Sequence, residues 1–390
     1  MEKNARISKM PPAGGLYDVF QKALKLKAEG KRIVHMEIGK PDFASPPKAN
    51  EAVKEALDNG FVHYTEMAGI PNLRKAIADK ELKKNDLVVN PEDEIVVTAG
   101  ACEAISTIFL SYFSEGDECI ILSPYFSAYK EIAVIAGVEL IEVPLTIDNN
   151  FAVDIDEICK AVNEKTRGII INTPNNPTGQ VMTLDELKQI AELAKEKDLL
   201  IISDETYDQF LFEGEHKSIY GLEGMKERTL LVNSLSKTFS MTGWRIGYVI
   251  GKAEYIKTLT KIHQNLSTCA TSFAQVGAAV ALNECDQFTL DMVEEFRQRR
   301  DIIVAGLKEI PGVECNTPMG AFYVFPRISG TGLTSMEFCE LILDYGVAAV
   351  PGTAFGADFE GYVRFCYACS QEDIKWALEQ IKKAIEEKNK

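Results

Sequence analysis

No stretch of the 390 residues is apolar for long enough to span a bilayer, which takes about 20 residues of helix. The opening MEKNARISKMPP also lacks the apolar core of a secretory signal. Histidine is scarce: His35, His63, His216 and His263 form no ligand-spaced cluster, so no metal site is expected. Cysteine shows no framework. Nine scattered copies, an odd number, suit a reducing compartment, here the cytoplasm, better than disulfides. The one CxxC, Cys366 to Cys369, falls in GYVRFCYACS, which reads as a strand. Residues three apart in a strand face opposite sides, so this is a structural pair rather than a redox or metal centre. Positive charge is in deficit, with 42 Lys and Arg against 58 Asp and Glu and a formal net charge of −16. Such a surface repels nucleic acid and anionic lipid, so neither is expected as a partner. Any anionic ligand must then be held by a locally positive site.

What is present is an alternation of strand and helix. Strand candidates are EIVVTAG (94–100), ECIILSP (118–124), RGIIINTP (167–174), LLIISDE (199–205), TLLVNSLS (229–236) and WRIGYVIG (244–251). Several are continuous apolar runs, the pattern of strands buried on both faces. Between them the clearest helix is 183–198, where Thr183 and Glu186 form a capping-box pattern and Leu184, Leu187, Ala191 and Ala194 line one face. Past residue 284 a long helical stretch (287–309) leads to strands around AFYVFP and YVRFCYA. A last helix follows Ser370, with Ile374, Ala377, Leu378, Ile381 and Ile385 on one face. The expectation is an α/β fold with a mostly parallel central sheet flanked by helices, plus a smaller α/β domain. Residues 45–284 would form the large domain; 1–44 and 285–390 would form an N-terminal arm and the small domain.

Ligands of α/β sheets collect at the carboxyl ends of the strands. Here those ends read Gly100-Ala101-Cys102, opening a helix; Pro124-Tyr125-Phe126; Asn175-Asn176-Pro177-Thr178-Gly179; Ser203-Asp204-Glu205-Thr206-Tyr207; and Ser234-Leu235-Ser236-Lys237. Arg245 opens the next strand. A helix N-terminus with small residues, serine hydroxyls and an arginine makes a phosphate site. An aromatic ring, a carboxylate and a lysine suit a cationic heteroaromatic carrying an aldehyde, which describes pyridoxal 5'-phosphate (PLP). Taken singly, each has a plainer meaning. Phe126 could be core, NNPTG an ordinary loop, Asp204 a helix cap and Lys237 a surface lysine. Arg364, inside an apolar strand pattern, needs an anionic partner if buried. The order of these groups along one sheet edge carries the reading.

SLSKTFSMTGWRIGY (234–248) closely resembles the lysine signature of the class I/II, fold-type I aminotransferases. NTPNNPTG (172–179), SDETYDQF (203–210), YTEMAGIPNLRKAIA (64–78) and VPGTAFG (350–356) resemble further blocks of that family. The likeness runs from EIGKPDF (37–43) to YVRFCYA (362–368). It implies that Lys237 carries PLP as a Schiff base and shuttles the substrate proton, while Asp204 pairs with the pyridine nitrogen. Tyr207 and Asn176 would bond the ring oxygen, and Phe126 would stack on the ring where the family often has Trp or Tyr. The backbone at Gly100, Ala101 and Cys102, with Ser234, Ser236 and Arg245, would hold the phosphate. Tyr64 resembles the phosphate-binding tyrosine that the family takes from the neighbouring subunit, which implies a homodimer with shared sites. Arg364 would clamp the substrate α-carboxylate, and Gly39 would line the same pocket.

The implied reaction is ping-pong transfer of an amino group from an L-amino acid, aspartate-like or related, to a 2-oxo acid, with 2-oxoglutarate first. Some aspartate-using members carry a lysine where Cys102 stands, a departure that leaves aromatic, methionine or alanine specificities open. A carbon–sulfur β-lyase on the same fold is the alternative. Ser234 to Lys237 also matches the SxxK of serine β-lactamases, but neither SDN nor KTG accompanies it. A regulatory domain of a transcription factor would need an attached DNA-binding domain, and the acidic composition disfavours it.

Overall fold

The computed structural model describes residues 6–10 and 16–388. Its centre is a seven-stranded sheet: β1 (Ile95–Thr98), β2 (Glu118–Ser123), β3 (Glu139–Pro144), β4 (Thr166–Asn172), β5 (Leu200–Asp204), β6 (Thr229–Ser234) and β7 (Gly247–Ile250). In space the order is β1-β7-β6-β5-β4-β2-β3. Strands β2 to β6 pair parallel; β7 runs antiparallel to both neighbours, β1 and β6. The expected mostly parallel sheet is therefore present. Strand β3 was not expected. It is an edge strand whose Glu139 and Pro144 are exposed and only Val143 buried, so it lacks the apolar run that marks the inner strands. Arg245 does not open β7: it stands two residues before it, in a left-handed turn (φ 56°). Likewise β6 ends at Ser234, and Lys237 lies on a short helix, Leu235–Thr238, not on the strand.

Helices cover the sheet. Leu184–Lys197 shows how the sequence builds one. The Thr183 side chain accepts from the Glu186 backbone, and Glu186 reaches back to the Thr183 backbone, completing the capping box. Such a cap stabilises a helix by about 1 kcal/mol. Leu187, Ile190, Ala191, Leu193 and Ala194 are buried, whereas Leu184 sits exposed in the first turn rather than on the expected face. Each fully buried Leu or Ile here contributes about 1.5–3 kcal/mol.

A smaller layer follows the long helix Asp286–Lys308. Strands β8 (Tyr323–Val324), β9 (Val350–Pro351) and β10 (Val363–Cys366) form an antiparallel sheet in the order β9-β10-β8. Val34–His35 pairs in parallel with Val347–Ala348, bringing the N-terminal segment onto this layer. The last helix, Gln371–Lys388, buries Ile374, Ala377, Ile381, Ala384 and Ile385, with Leu378 partly covered. One apolar core unites residues 19–36 with 292–385 and reaches across to Tyr207 and Phe210; the other cores lie against the seven-stranded sheet. These architectural features are those of fold-type I.

Candidate active site

Strand register brings the polar chain ends level. Asn172, Asp204 and Val232 align across β4, β5 and β6, while Ser234, Gly247 and Thr98 align across β6, β7 and β1. Above that edge opens a cavity of about 470 Å³. All the residues to which the resemblance gave a site role border it except Gly100 and Tyr64.

One end is a set of donors. Gly100 caps the helix Ala101–Tyr112 with φ 89°. Arg245 donates to the carbonyls of Thr242 (3.0 Å) and Ala99 (3.3 Å), which lays its guanidinium over Gly100. A Cβ at position 100 would come within 2.3 Å of Arg245 Nη2, and one at Gly247 within 2.6 Å of the Gly100 carbonyl carbon. Only glycine lets the helix start, the arginine and β7 meet. Ser234 and Ser236, both buried, border the same end. Orphan helix N–H groups, hydroxyls and a guanidinium together suit a phosphate.

At the opposite end Asp204 is buried. Its carboxylate accepts the Tyr129 hydroxyl at 2.6 Å and the Thr206 N–H at 3.0 Å. Burial raises its pKa, with Glu205 adding to the rise, and those two donors offset only part of it. Asn172 Nδ2 donates to the Asp204 carbonyl (3.1 Å), and Asn172 Oδ1 accepts the Asn176 N–H (2.9 Å), so two strand ends share one network. Phe126 stands over this floor, edge-on to Tyr129 with centroids 5.6 Å apart. Tyr207, from the turn after β5, shares a hydroxyl–hydroxyl hydrogen bond of 2.8 Å with Tyr323 of β8. Burial raises the pKa of both phenols, so each stays protonated.

Lys237 lies between these ends. Its Nζ donates to the Gly39 carbonyl at 2.6 Å. Burial, with repulsion from Arg364 and Arg245, lowers its pKa to about 8. At Gly39 a Cβ would fall 2.2 Å from the Tyr323 hydroxyl, so this close approach also requires glycine.

Arg364, on β10, is buried between the rings of Tyr323 and Phe355, 4.7 and 4.8 Å from their centroids. Nη1 donates to Asn176 Oδ1 (3.1 Å) and Nη2 to the Glu37 carbonyl (2.5 Å), while buried Nε has no acceptor among the described residues. A buried guanidinium that borders a cavity and faces no carboxylate calls for an anion. Tyr64 is 83% exposed, away from this cavity, beside Ser272 and Phe273 at a separate depression.

Sequence reasoning missed Tyr129, Tyr323 and Asn172. The first could have been found: three residues past Phe126, it falls one helical turn further along. Asn172 stands within NTPNNPTG but carries no charge to single it out. Nothing near Tyr323 in the sequence marks it, because its partner Tyr207 is 116 residues away. A second cavity, about 360 Å³, lies beyond Tyr129 and Asn172, which border both; no lysine, arginine or histidine lines it.

A donor-lined end, a buried carboxylate opposite, and between them a lysine of lowered pKa fit a phosphorylated pyridine aldehyde in size and charge. Fold and site together define an enzyme of the fold-type I class. The model for class I and II aminotransferases matches residues 31–381, and the chain belongs to that family and is an aminotransferase. It is 42% identical over 375 residues to an aspartate aminotransferase of Pyrococcus abyssi, covering 95% of this chain and 96% of the relative. It is 41% identical over 360 residues to aromatic-amino-acid aminotransferase 2 of Thermococcus litoralis, covering 91% and 92%. Among solved structures, Thermus thermophilus aspartate aminotransferase with maleate superposes with a TM-score of 0.93 at 37% identity, covering 98% of this chain and 100% of that one. The family is in general PLP-dependent.

Proposed function

We propose that PLP occupies the 470 Å³ cavity, joined to Lys237, and that the enzyme transfers the amino group of an aspartate-like L-amino acid to a 2-oxo acid, 2-oxoglutarate first, in two half-reactions. The observation that carries this is Lys237: a lysine with pKa lowered to about 8, held between a phosphate-type donor set and a buried carboxylate. When bound, PLP supplies an aldehyde for the amine and a pyridinium ring that withdraws electrons from the substrate Cα.

The protein's own groups do the rest. Arg245, Ser234, Ser236 and the N–H groups at Ala101 and Cys102 hold the phosphate. Asp204, anchored by Tyr129, pairs with the ring nitrogen and keeps it protonated. Tyr207 and Asn176 donate to the ring oxygen, and Phe126 covers one ring face. Arg364, with Gly39 alongside, orients the substrate carboxylate. Near neutral pH the Lys237 amine exists both free and protonated, so it can take a proton from Cα and return it elsewhere.

Tyr64 acts on the partner subunit's cofactor in a homodimer. Its support is the exposed apolar run Phe61, Val62, Tyr64 and Met67, a surface suited to cover by a second copy. The core uniting residues 19–36 with 292–385 supports a small domain from 1–44 and 285–390 beside a large one over 45–284, the two meeting where Phe325, Val350, Phe355 and Phe359 pack among residues 120–225. Nine unpaired cysteines support a reducing compartment, the cytoplasm. The β-lyase alternative gains nothing from the relatives, which are aminotransferases by name.

Borohydride reduction of the purified yellow protein followed by peptide mapping tests the reading: the adduct is expected on Lys237. Recovery on another lysine, or no cofactor uptake, overturns it. A screen of single amino acids for conversion of the bound cofactor to its amine form then ranks aspartate against aromatic and aliphatic donors.

A further inference from the structure

The turn that brings Asp204, Thr206 and Tyr207 to the cavity also carries Glu205 and Asp208, which do not border it. Both are buried, at 0% and 2% exposure, in a charged network outside the reaction. Glu205 Oε1 accepts the Ser203 hydroxyl (2.8 Å) and the Ser218 hydroxyl (2.6 Å), and Oε2 pairs with His216 Nε2 at 2.9 Å. Asp208 is paired with Lys80, which also reaches Glu81 at 2.8 Å; Glu81 in turn accepts the Tyr248 hydroxyl at 2.9 Å. The network thus ties the turn to the helix Pro71–Asn85, to β7 and to the segment holding His216.

Its charges are unequal. Three buried carboxylates, Glu81, Glu205 and Asp208, face one lysine and one histidine, so the cluster is short of positive charge even with His216 protonated. His216 Nδ1 and Asp208 Oδ1 are both buried without a partner among the described residues. Burial by itself would lower the His216 pKa, but Glu205 and then Asp208 outweigh it, and Lys80 opposes them; the balance lies above the ordinary histidine value. Past Asp204 the turn's backbone bonds are Glu205 N–H to Val232 O, Asp208 N–H to Glu205 O and Phe210 N–H to Tyr207 O, and the Glu205 and Asp208 side chains add anchors behind it. The side chains behind the turn therefore bear on where its front side chains stand.

We propose that the Glu205–His216 and Asp208–Lys80 pairs are a positioning device for the amino-transfer reaction: from behind, they fix the turn that presents Asp204 and Tyr207 and balance its charge. Glu205, Asp208, Lys80 and His216 are positioning residues that touch neither cofactor nor substrate. The inference rests on the reading that Asp204 and Tyr207 face bound PLP. It has a sign. Removing the positive charge of His216 leaves Glu205 unpaired behind Asp204, and added negative charge favours the protonated form of the cofactor–lysine linkage.

The test uses the PLP-loaded protein and reads the pH titration of its visible absorbance alongside kcat, KM and Tm. His216→Gln should move the titration midpoint upward by about 0.5 pH unit and lower kcat several-fold with little change in KM. Adding Glu205→Gln to His216→Gln removes the orphaned charge and should restore both towards wild type. A role in packing alone would lower Tm, leave the midpoint and kcat unmoved, and show no rescue; that result overturns the proposal. Should His216→Gln fail to fold, Lys80→Gln and the Lys80→Gln/Asp208→Asn double are read in the same way, and unmoved midpoints again overturn it. A wild-type protein with no cofactor band at all would instead count against the PLP reading itself, which separates the two failures.

Discussion

The Tyr129 hydroxyl and Asp204 Oδ2 meet at 2.6 Å beneath the cavity, both side chains buried. Tyr129 comes from the helix after β2 and Asp204 from the end of β5, so the contact joins two segments that also supply Phe126 and Tyr207. A hydrogen bond to an ionised acceptor is worth about 1.5–3 kcal/mol. Burial already pushes the Asp204 carboxyl up, and Tyr129 is one of the donors holding it down. Tyr129→Phe should therefore raise it further, move the acid limb of the kcat/KM profile to higher pH, and cost about tenfold or more in turnover at neutral pH. Asp204→Asn, which removes the charge outright, should cost about 10³-fold or more. A Tyr129→Phe profile that overlays wild type would show the contact to be incidental.

Arg364 tests the carboxylate clamp. Lysine keeps the charge but loses the planar fork and its stacking between Tyr323 and Phe355. Arg364→Lys should raise KM for the amino acid by about 10² or more, the scale of a lost charge-assisted pair, and leave PLP affinity within a few-fold. Collapse of PLP binding, followed by fluorescence titration, would instead assign Arg364 to the cofactor.

Lys237 predicts a pH dependence for cofactor capture. Only the free amine attacks an aldehyde, and burial together with the two arginines lowers its pKa to about 8. The rate at which cofactor-free protein takes up PLP should rise as pH passes through about 8 and then level off. An unperturbed lysine would keep gaining rate towards about pH 10.4. Stopped-flow absorbance across pH 6.5–10 distinguishes the two curves.

Tyr64 makes a prediction about assembly. Lys237→Ala cannot form the Schiff base with the cofactor, and Tyr64→Glu sets a negative charge beside the phosphate. Co-expression gives about half heterodimer if the two chains pair at random. When Tyr64 serves the other chain, one heterodimer site carries both lesions and its mate none, so about a quarter of wild-type activity returns. With each variant first shown to be inactive and dimeric alone, a verified heterodimer without activity would place Tyr64 in its own chain's site or in none.

Much of this molecule is legible in its sequence, for reasons that differ by residue. The inner strands announce themselves because burial on both faces demands unbroken apolar runs such as RGIIIN; β3, half in solvent, carries Glu139 and Glu142 and makes no such run. Arg364 stands out because charge inside an apolar strand is costly. Lys237 and Asp204 are legible through the motifs around them and through their places at successive strand ends. Tyr323 is silent, since an aromatic residue in AFYVFP reads as core, and its polar end acquires a meaning only when the small layer folds onto Tyr207. Glu205 and Asp208 are hidden by their neighbours: within SDETYDQF, Asp204 and Tyr207 carry the resemblance, while Glu205 and Asp208 of the same few residues serve the opposite side.

The burial of Arg364 at the edge of the cavity has one further consequence, for molecules the enzyme never converts. A simple amine has the nitrogen needed to reach Lys237 but brings no carboxylate, so it would leave a buried guanidinium without its anion. Sites built around an obligatory polar contact disfavour analogues that lack it by factors of about 10⁴. On this reading the arginine turns such amines away without touching them: exclusion comes from a missing partner, and no steric barrier is required.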